Sequence, residues 1–199
     1  MSGGGGRGPV YTILFILVLS AVFAAALAGA NALYRPRIEA NRELAEKRDL
    51  LYVFGMDTGG TPGEVAARFD ASVRKDTLGD LEVYARLDGA GVVEAYAVPF
   101  VGAGLWGTIR GYLGVSQDLQ AVRGVVFTSH SETPGLGGRI DELAYKEQFR
   151  GLSLAGGARL AYGEGDLDAI TGATSTSNAV LRILNDLVEN TLSGLEVVP

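Results

Sequence analysis

Residues 10–30, VYTILFILVLSAVFAAALAGA, run for twenty-one positions without a charge. As a helix rising about 1.5 Å per residue, the stretch spans roughly 30 Å, the thickness of a bilayer's hydrocarbon core. Two readings compete: an uncleaved membrane anchor and a signal peptide that is removed. Ala26-Leu27-Ala28 and Ala28-Gly29-Ala30 offer small-x-small cleavage sites. The apolar region of a signal peptide is usually only about 7–15 residues, so the length favours an anchor. Arg7 is the one basic side chain before the segment, whereas Arg35, Arg37, Arg42, Lys47 and Arg48 follow it. Taken alone, the positive-inside rule would put the C-terminal part in the cytoplasm.

The remaining chain, within a total of 199 residues, suits one domain of ordinary size. All 23 acidic groups but only 14 of the 17 basic ones fall in residues 38–199, a net charge of −9. A domain that acidic has no electrostatic footprint for nucleic acid. The chain has no cysteine, which removes disulfides, thiolate metal sites and cysteine nucleophiles, and its single histidine excludes a multi-histidine metal centre. Any redox chemistry has to come from a bound organic cofactor.

After a glycine-rich tail at 1–9 and the apolar segment at 10–30, residues 31–56 read as a juxtamembrane helix beyond Pro36. Ile38, Leu44, Leu50, Leu51 and Val53 are among its apolar positions, and it serves as a plain connector. Asp57-Thr58-Gly59-Gly60-Thr61-Pro62 breaks it, and a globular domain at 57–199 follows. GEVAARFDASV predicts a short helix that packs Val65, Phe69 and Val73. Residues 81–87 and 92–98 alternate apolar with polar or small residues around Asp88-Gly89-Ala90-Gly91, a β-hairpin pattern. Residues 108–115 and 121–128 form a second pair of strands. The fold class is α+β: an antiparallel sheet packed with helices, which cover one side of it, preceded by one N-terminal transmembrane helix.

DAITGAT at 168–174 puts a threonine in an unusual setting, because Gly172 and Ala173 are too small to shield the Thr174 hydroxyl. Val180, Ile183, Leu184, Leu187, Val188 and Leu192 recur at helical spacing, so a helix begins near 175–178. Its free N–H groups and positive dipole end then lie beside Thr174. A hydroxyl there is either a helix cap or a place where a phosphate is held, with Ser175, Thr176 and Ser177 as further donors. ETPGLGG at 132–138 follows directly on a predicted strand, and its glycines permit positive φ and close approach to a flat ligand. Trp106, the only tryptophan, sits in Gly104-Leu105-Trp106-Gly107, either as core packing or as apolar contact for such a ligand. No nucleophile–base pair stands out, and no dinucleotide fingerprint follows a strand.

DAITGAT resembles the attachment site of covalently bound FMN in the NqrC/RnfG family, subunits of ion-translocating membrane redox complexes. ETPGLGG is a second match to that family, and the GLW stretch looks like NqrC more than RnfG. The resemblance implies that a flavin transferase joins the FMN phosphate to Thr174 and reads Asp168 as part of its recognition pattern. It implies a flavin site made from Gly172, Ala173, Ser175, Thr176 and Ser177 around the phosphate. Glu132, Thr133, Gly135, Leu136 and Gly137 would line the flavin, with Leu105 and Trp106 in apolar contact with the ring. It further implies an electron relay without substrate chemistry of its own, other membrane subunits of the same complex as partners, and a bilayer around residues 10–30. The short N-terminus would lie in the cytoplasm and the flavin domain outside the bacterial cytoplasmic membrane, against the charge pattern. The C-type component of a sodium-translocating NADH:quinone oxidoreductase is the leading identity that the resemblance offers. The G-type component of an Rnf complex, linking ferredoxin and NAD, and an anchored binding domain without flavin are the alternatives.

Overall fold

The computed structural model describes residues 8–163 and 167–192. Helix α1, Pro9–Val53, is continuous across the apolar segment and the connector, with Pro36 inside it. A proline there forfeits one backbone bond, yet the helix continues on the turns to either side. The chain divides into two compact units at Met1–Glu43 and Leu44–Pro199. In the first, every described side chain is exposed, including Ile13, Leu17 and Phe23. α1 is long and apolar enough to cross a membrane by length and composition.

The second unit begins inside α1 at Leu44, rather than at 57. Leu50, Leu51 and Val53 are fully buried and Phe54 nearly so, because the helix ends in the domain's own core. Gly55, at φ 70°, turns the chain out of the helix, and the Met56 amide donates back to the Leu51 carbonyl at 2.9 Å. This is the αL exit that glycine takes at low cost. Arg150 donates to the last carbonyls, of Tyr52 at 3.2 Å and Val53 at 3.5 Å, and Arg86 donates to Phe54 O at 2.9 Å. Two guanidinium groups thus satisfy acceptors that a helix end leaves open. The connector read from the sequence is, in its last turns, a core element.

Thr61 opens α2, Pro62–Ser72, with a capping box: its hydroxyl accepts from Glu64 N while Glu64 accepts from Thr61 N at 2.7 Å. Five strands follow as a meander: β1 Val73–Leu78, β2 Leu81–Leu87, β3 Val93–Ala103, β4 Thr108–Ser116 and β5 Val122–Ser129. They pair antiparallel in the order β1-β2-β3-β4-β5. The sequence pattern does not announce β1, and Val73 opens this strand rather than closing α2. Its residues, VRKDTL, are polar at four of six positions and show no alternation, so pairing with β2 decides their conformation.

Both faces of the sheet are covered, where the sequence predicts one. Val83, Val98, Phe100, Ile109, Leu113, Val125 and Phe127 form one face under α4, Thr174–Asn190, together with Ile140, Tyr145 and Phe149. Val73, Ala95, Ala97 and Val126 form the other, under Leu50, Val53 and Phe54. The alternation within β3 between small residues on one side and Val98 and Phe100 on the other is what a strand buried on both faces requires.

Antiparallel pairing also sets where the loops fall. The β3–β4 turn at 104–107 and the segment leaving β5 at Ser129 emerge at the same end of the sheet, since Arg110 pairs with Ser129. α4 crosses the sheet so that Ile183 fills the space above Gly102, where a Cβ would collide with it. Its N-terminus then lies at the same end.

Candidate functional site

α4 begins at Thr174 itself, not at 175–178. The residue before it, Ala173, occupies the cap position at φ −132° and ψ 38° and offers no side-chain acceptor. The amides of the first turn therefore have no side-chain cap, and Thr174 and Ser175 are both exposed. Gly172, at φ 80°, makes the tight turn that sets them there, a conformation other residues rarely adopt. The turn is braced from inside. Ser177 Oγ donates to Ala173 O at 3.1 Å and accepts from Ile170 N at 3.0 Å. Tyr162 donates to Ser177 O at 3.1 Å, and its own oxygen meets the Tyr145 hydroxyl at 2.6 Å. Burial holds both phenols above their ordinary pKa, so they stay neutral.

Two of the phosphate donors expected from the sequence are thus placed elsewhere. Ser177 is spent on the turn, and Thr176 points into the protein, where its hydroxyl donates to Glu132 Oε2 at 2.5 Å. The signal was present: 176 and 177 lie four and three positions before Val180, on the same buried face as Leu184. Of the four hydroxyls at 174–177, those of Thr174 and Ser175 belong to exposed residues.

ETPGLGG divides the same way. Glu132 is 4 % exposed, and its carboxylate is engaged inside the protein. Its Oε1 accepts from Leu105 N at 2.9 Å and Trp106 N at 3.1 Å. Gly137 is buried against it: a Cβ there would stand 2.5 Å from Thr176 Oγ1 and 2.9 Å from Glu132 Oε2. Thr133, Pro134, Gly135 and Leu136 form the outer rim, with Gly135 at φ 75°. Leu136 leans over the Thr174 turn, its Cδ2 3.6 Å from where a Cβ on Gly172 would be. Thus ETPGLGG and TGAT, distant in sequence, are neighbours.

Trp106 is 69 % exposed and Leu105 53 %, which removes the core-packing reading of the tryptophan. With Leu136, 47 % exposed, they are large apolar groups left facing solvent at this end of the sheet. Large exposed apolar groups beside a polar anchor mark a binding surface. His130, the chain's single histidine, is structural: its Nδ1 accepts from Glu132 N at 3.2 Å, leaving Nε2–H to donate to Asp141 Oδ2 at 2.9 Å. Asp168 is exposed, and its backbone amide donates to Gln148 Oε1 at 2.6 Å. A cavity of about 460 Å³ lies against the loop, lined by His130, Glu132, Pro134, Gly135 and Arg139 but not by Thr174, Trp106 or Leu136. Among the described residues, no group of His, Cys, Asp or Glu could hold a metal ion.

Residues 104–189 match the model of the FMN-binding domain, a span that opens at the GLW turn and closes in α4. The chain is 29% identical to NqrC, the C-type component of the Na(+)-translocating NADH-quinone reductase, of Pasteurella multocida, the match covering 85% of each chain. It is 37% identical to the G-type component of the ion-translocating oxidoreductase complex of Methanosarcina acetivorans, over 53% of this chain and 56% of that one. Among solved structures, Shewanella oneidensis NqrC superposes with a TM-score of 0.64 at 23% identity, covering 74% of this chain and 91% of that one.

Proposed function

We propose that this chain, a relative of the NqrC/RnfG family, is a membrane-anchored flavoprotein subunit that carries FMN esterified through its phosphate to Thr174. It relays electrons within a complex like the sodium-translocating NADH:quinone oxidoreductases. One juxtaposition carries the reading: the exposed Thr174 hydroxyl at the start of a helix with no side-chain cap, beside the exposed Trp106, Leu105 and Leu136. A flavin phosphate needs an anchor and donors, and its ring needs apolar surface. This end of the sheet offers both.

The residues divide the work. Thr174 Oγ bonds the phosphorus, while the open amides of the first turn, the Ser175 hydroxyl and the positive end of α4 face the phosphate charge. Leu105, Trp106 and Leu136 keep water from the ring. Asp168, exposed before the turn, is free to meet a flavin transferase. The bound FMN supplies the capacity to take up and release electrons, and the protein sets its position and surroundings. Residues 10–30 cross the bilayer, with 1–9 on the cytoplasmic side and the flavin domain outside. A C-terminal alkaline phosphatase fusion that stays inactive would overturn that placement.

Co-expression with a flavin transferase, followed by a denaturing gel under ultraviolet light, tests the attachment. A fluorescent band is expected from the parent chain and none from Thr174→Ala. A band that persists in Thr174→Ala refutes the site, and no band from the parent favours an anchored domain without flavin. The G-type component of an Rnf complex is the second reading, favoured by the higher identity to the Methanosarcina relative over its shorter span. The proteins that co-purify with the full chain decide between the two.

A further inference from the structure

Two segments far apart in sequence end on the carboxylate of a third. Glu132 Oε1 accepts from the Leu105 and Trp106 amides, and Oε2 accepts from the Thr176 hydroxyl in the first turn of α4. A carboxylate only accepts, and this one receives three donors while almost wholly buried. All three are neutral groups, and among the described residues Glu132 enters no salt bridge. A buried charge held without a cation is costly unless its lone pairs are well satisfied, so its retention at this point calls for a reason. The local backbone is shaped around it. A Cβ on Gly104 would collide with Oε1, and one on Gly137 would crowd Oε2 and Thr176. His130 orients the same residue from behind by accepting its amide.

We infer that Glu132 is a positioning residue that joins the apolar ledge to the attachment helix. Oε1 fixes the backbone under Leu105 and Trp106, and Oε2 fixes the turn that presents Thr174. The carboxylate thereby sets the offset between the surface meant for the ring and the hydroxyl meant for the phosphate. The inference rests on the FMN reading for its purpose, but the link itself is a property of the protein alone. Asp would be too short to reach both sides. Gln keeps one acceptor oxygen for the two amides, but its Nε2–H2 meets Thr176 only as a donor, so the hydroxyl must turn to accept and the charge-assisted bond to Oε2 is lost.

Trp106 is the chain's only tryptophan and sits on the ledge, which makes the link measurable without flavin. The full chain in detergent, carrying Thr174→Ala so that no flavin quenches the signal, is compared with the same chain bearing Thr176→Val, Thr176→Ser or Glu132→Gln. Thr176→Val removes the donor at constant shape and should raise the fast component of Trp106 anisotropy decay and its acrylamide quenching. Thr176→Ser, which keeps the hydroxyl, should restore both, and Glu132→Gln should fall between. In the flavin-loaded chain with Thr174 intact, Thr176→Val should keep the fluorescent gel band and lose visible circular dichroism from the flavin. Unchanged Trp106 mobility in Thr176→Val with unchanged far-ultraviolet circular dichroism overturns the link. Unchanged flavin dichroism in the loaded variant overturns its positioning role. If Glu132→Gln does not fold, Thr176→Val decides; if the parent takes up no flavin, the FMN reading fails and Trp106 still tests the link.

Discussion

A soluble fragment that starts at residue 57, after the sequence break, will not fold, whereas one that starts at Leu44 will. The difference between them is the end of α1. Leu50, Leu51 and Val53 are fully buried and Phe54 is 3 % exposed. Fully burying each such side chain contributes about 1.5–3 kcal/mol, so the four together supply roughly 6–12 kcal/mol. The whole stability of a typical domain is about 5–15 kcal/mol, so losing them removes most or all of it. The loss is not confined to apolar contact. Gly114 and Gly124 are kept free of side chains because Val53 packs on them, Arg86 would lose the Phe54 carbonyl, and Arg150 would lose those of Tyr52 and Val53. Urea titration of fragments 44–199 and 57–199, followed by far-ultraviolet circular dichroism, measures the effect. The longer fragment should show one cooperative transition and the shorter none. In the full chain, Leu51→Ala should cost about 2–5 kcal/mol. A cooperative transition in 57–199 with a free energy close to that of 44–199 would refute the assignment of α1's end to the core.

Two further outcomes follow from local geometry. Gly137→Ala places a methyl 2.5 Å from Thr176 Oγ1 in a buried corner, and should destabilise the domain by about 1–3 kcal/mol through overpacking. A shift of the urea midpoint without a change of slope checks it. Asp49 is the basis of a pH dependence: burial pushes its pKa from 3.8 to about 6, Asp141 and Glu46 adding to the shift and Lys146 opposing it. The folded state therefore keeps a proton that the unfolded chain has lost between those values, so stability falls as pH rises from about 4 to about 6. Asp49→Asn should flatten that slope in urea midpoints taken across the range, and a slope that survives the substitution would sink the assignment.

Periodic elements were open to sequence reasoning because their cause is local. The apolar run of 10–30, the alternation in 81–87, the Gly-rich hairpin turn and the three- and four-residue spacing of α4 each satisfy nearest-neighbour geometry without reference to the rest of the chain. β1 was hidden because four of its six residues are polar, and only the ladder to β2 holds it extended. The end of α1 looked like a connector because its charges suit solvent, while its apolar residues gave no sign of which surface they would meet. Thr176 and Ser177 fell on the buried face that the helical period already implied, but their hydroxyls resembled those of their exposed neighbours.

By itself, the sequence determined that there is a helix able to cross a membrane, an antiparallel α+β domain, and a small-residue turn that leaves Thr174 bare at a helix start. Only the tertiary structure decided which groups face outward there. The β3–β4 turn and the exit from β5 share one end of the sheet because antiparallel strands pair Arg110 with Ser129. α4 brings its first turn to that end because Gly102 lets Ile183 approach. Those two packing facts turn Glu132 inward between Trp106 and Thr176 and leave Trp106 on the surface. No local spacing encodes such a convergence, since it depends on contacts between residues dozens of positions apart.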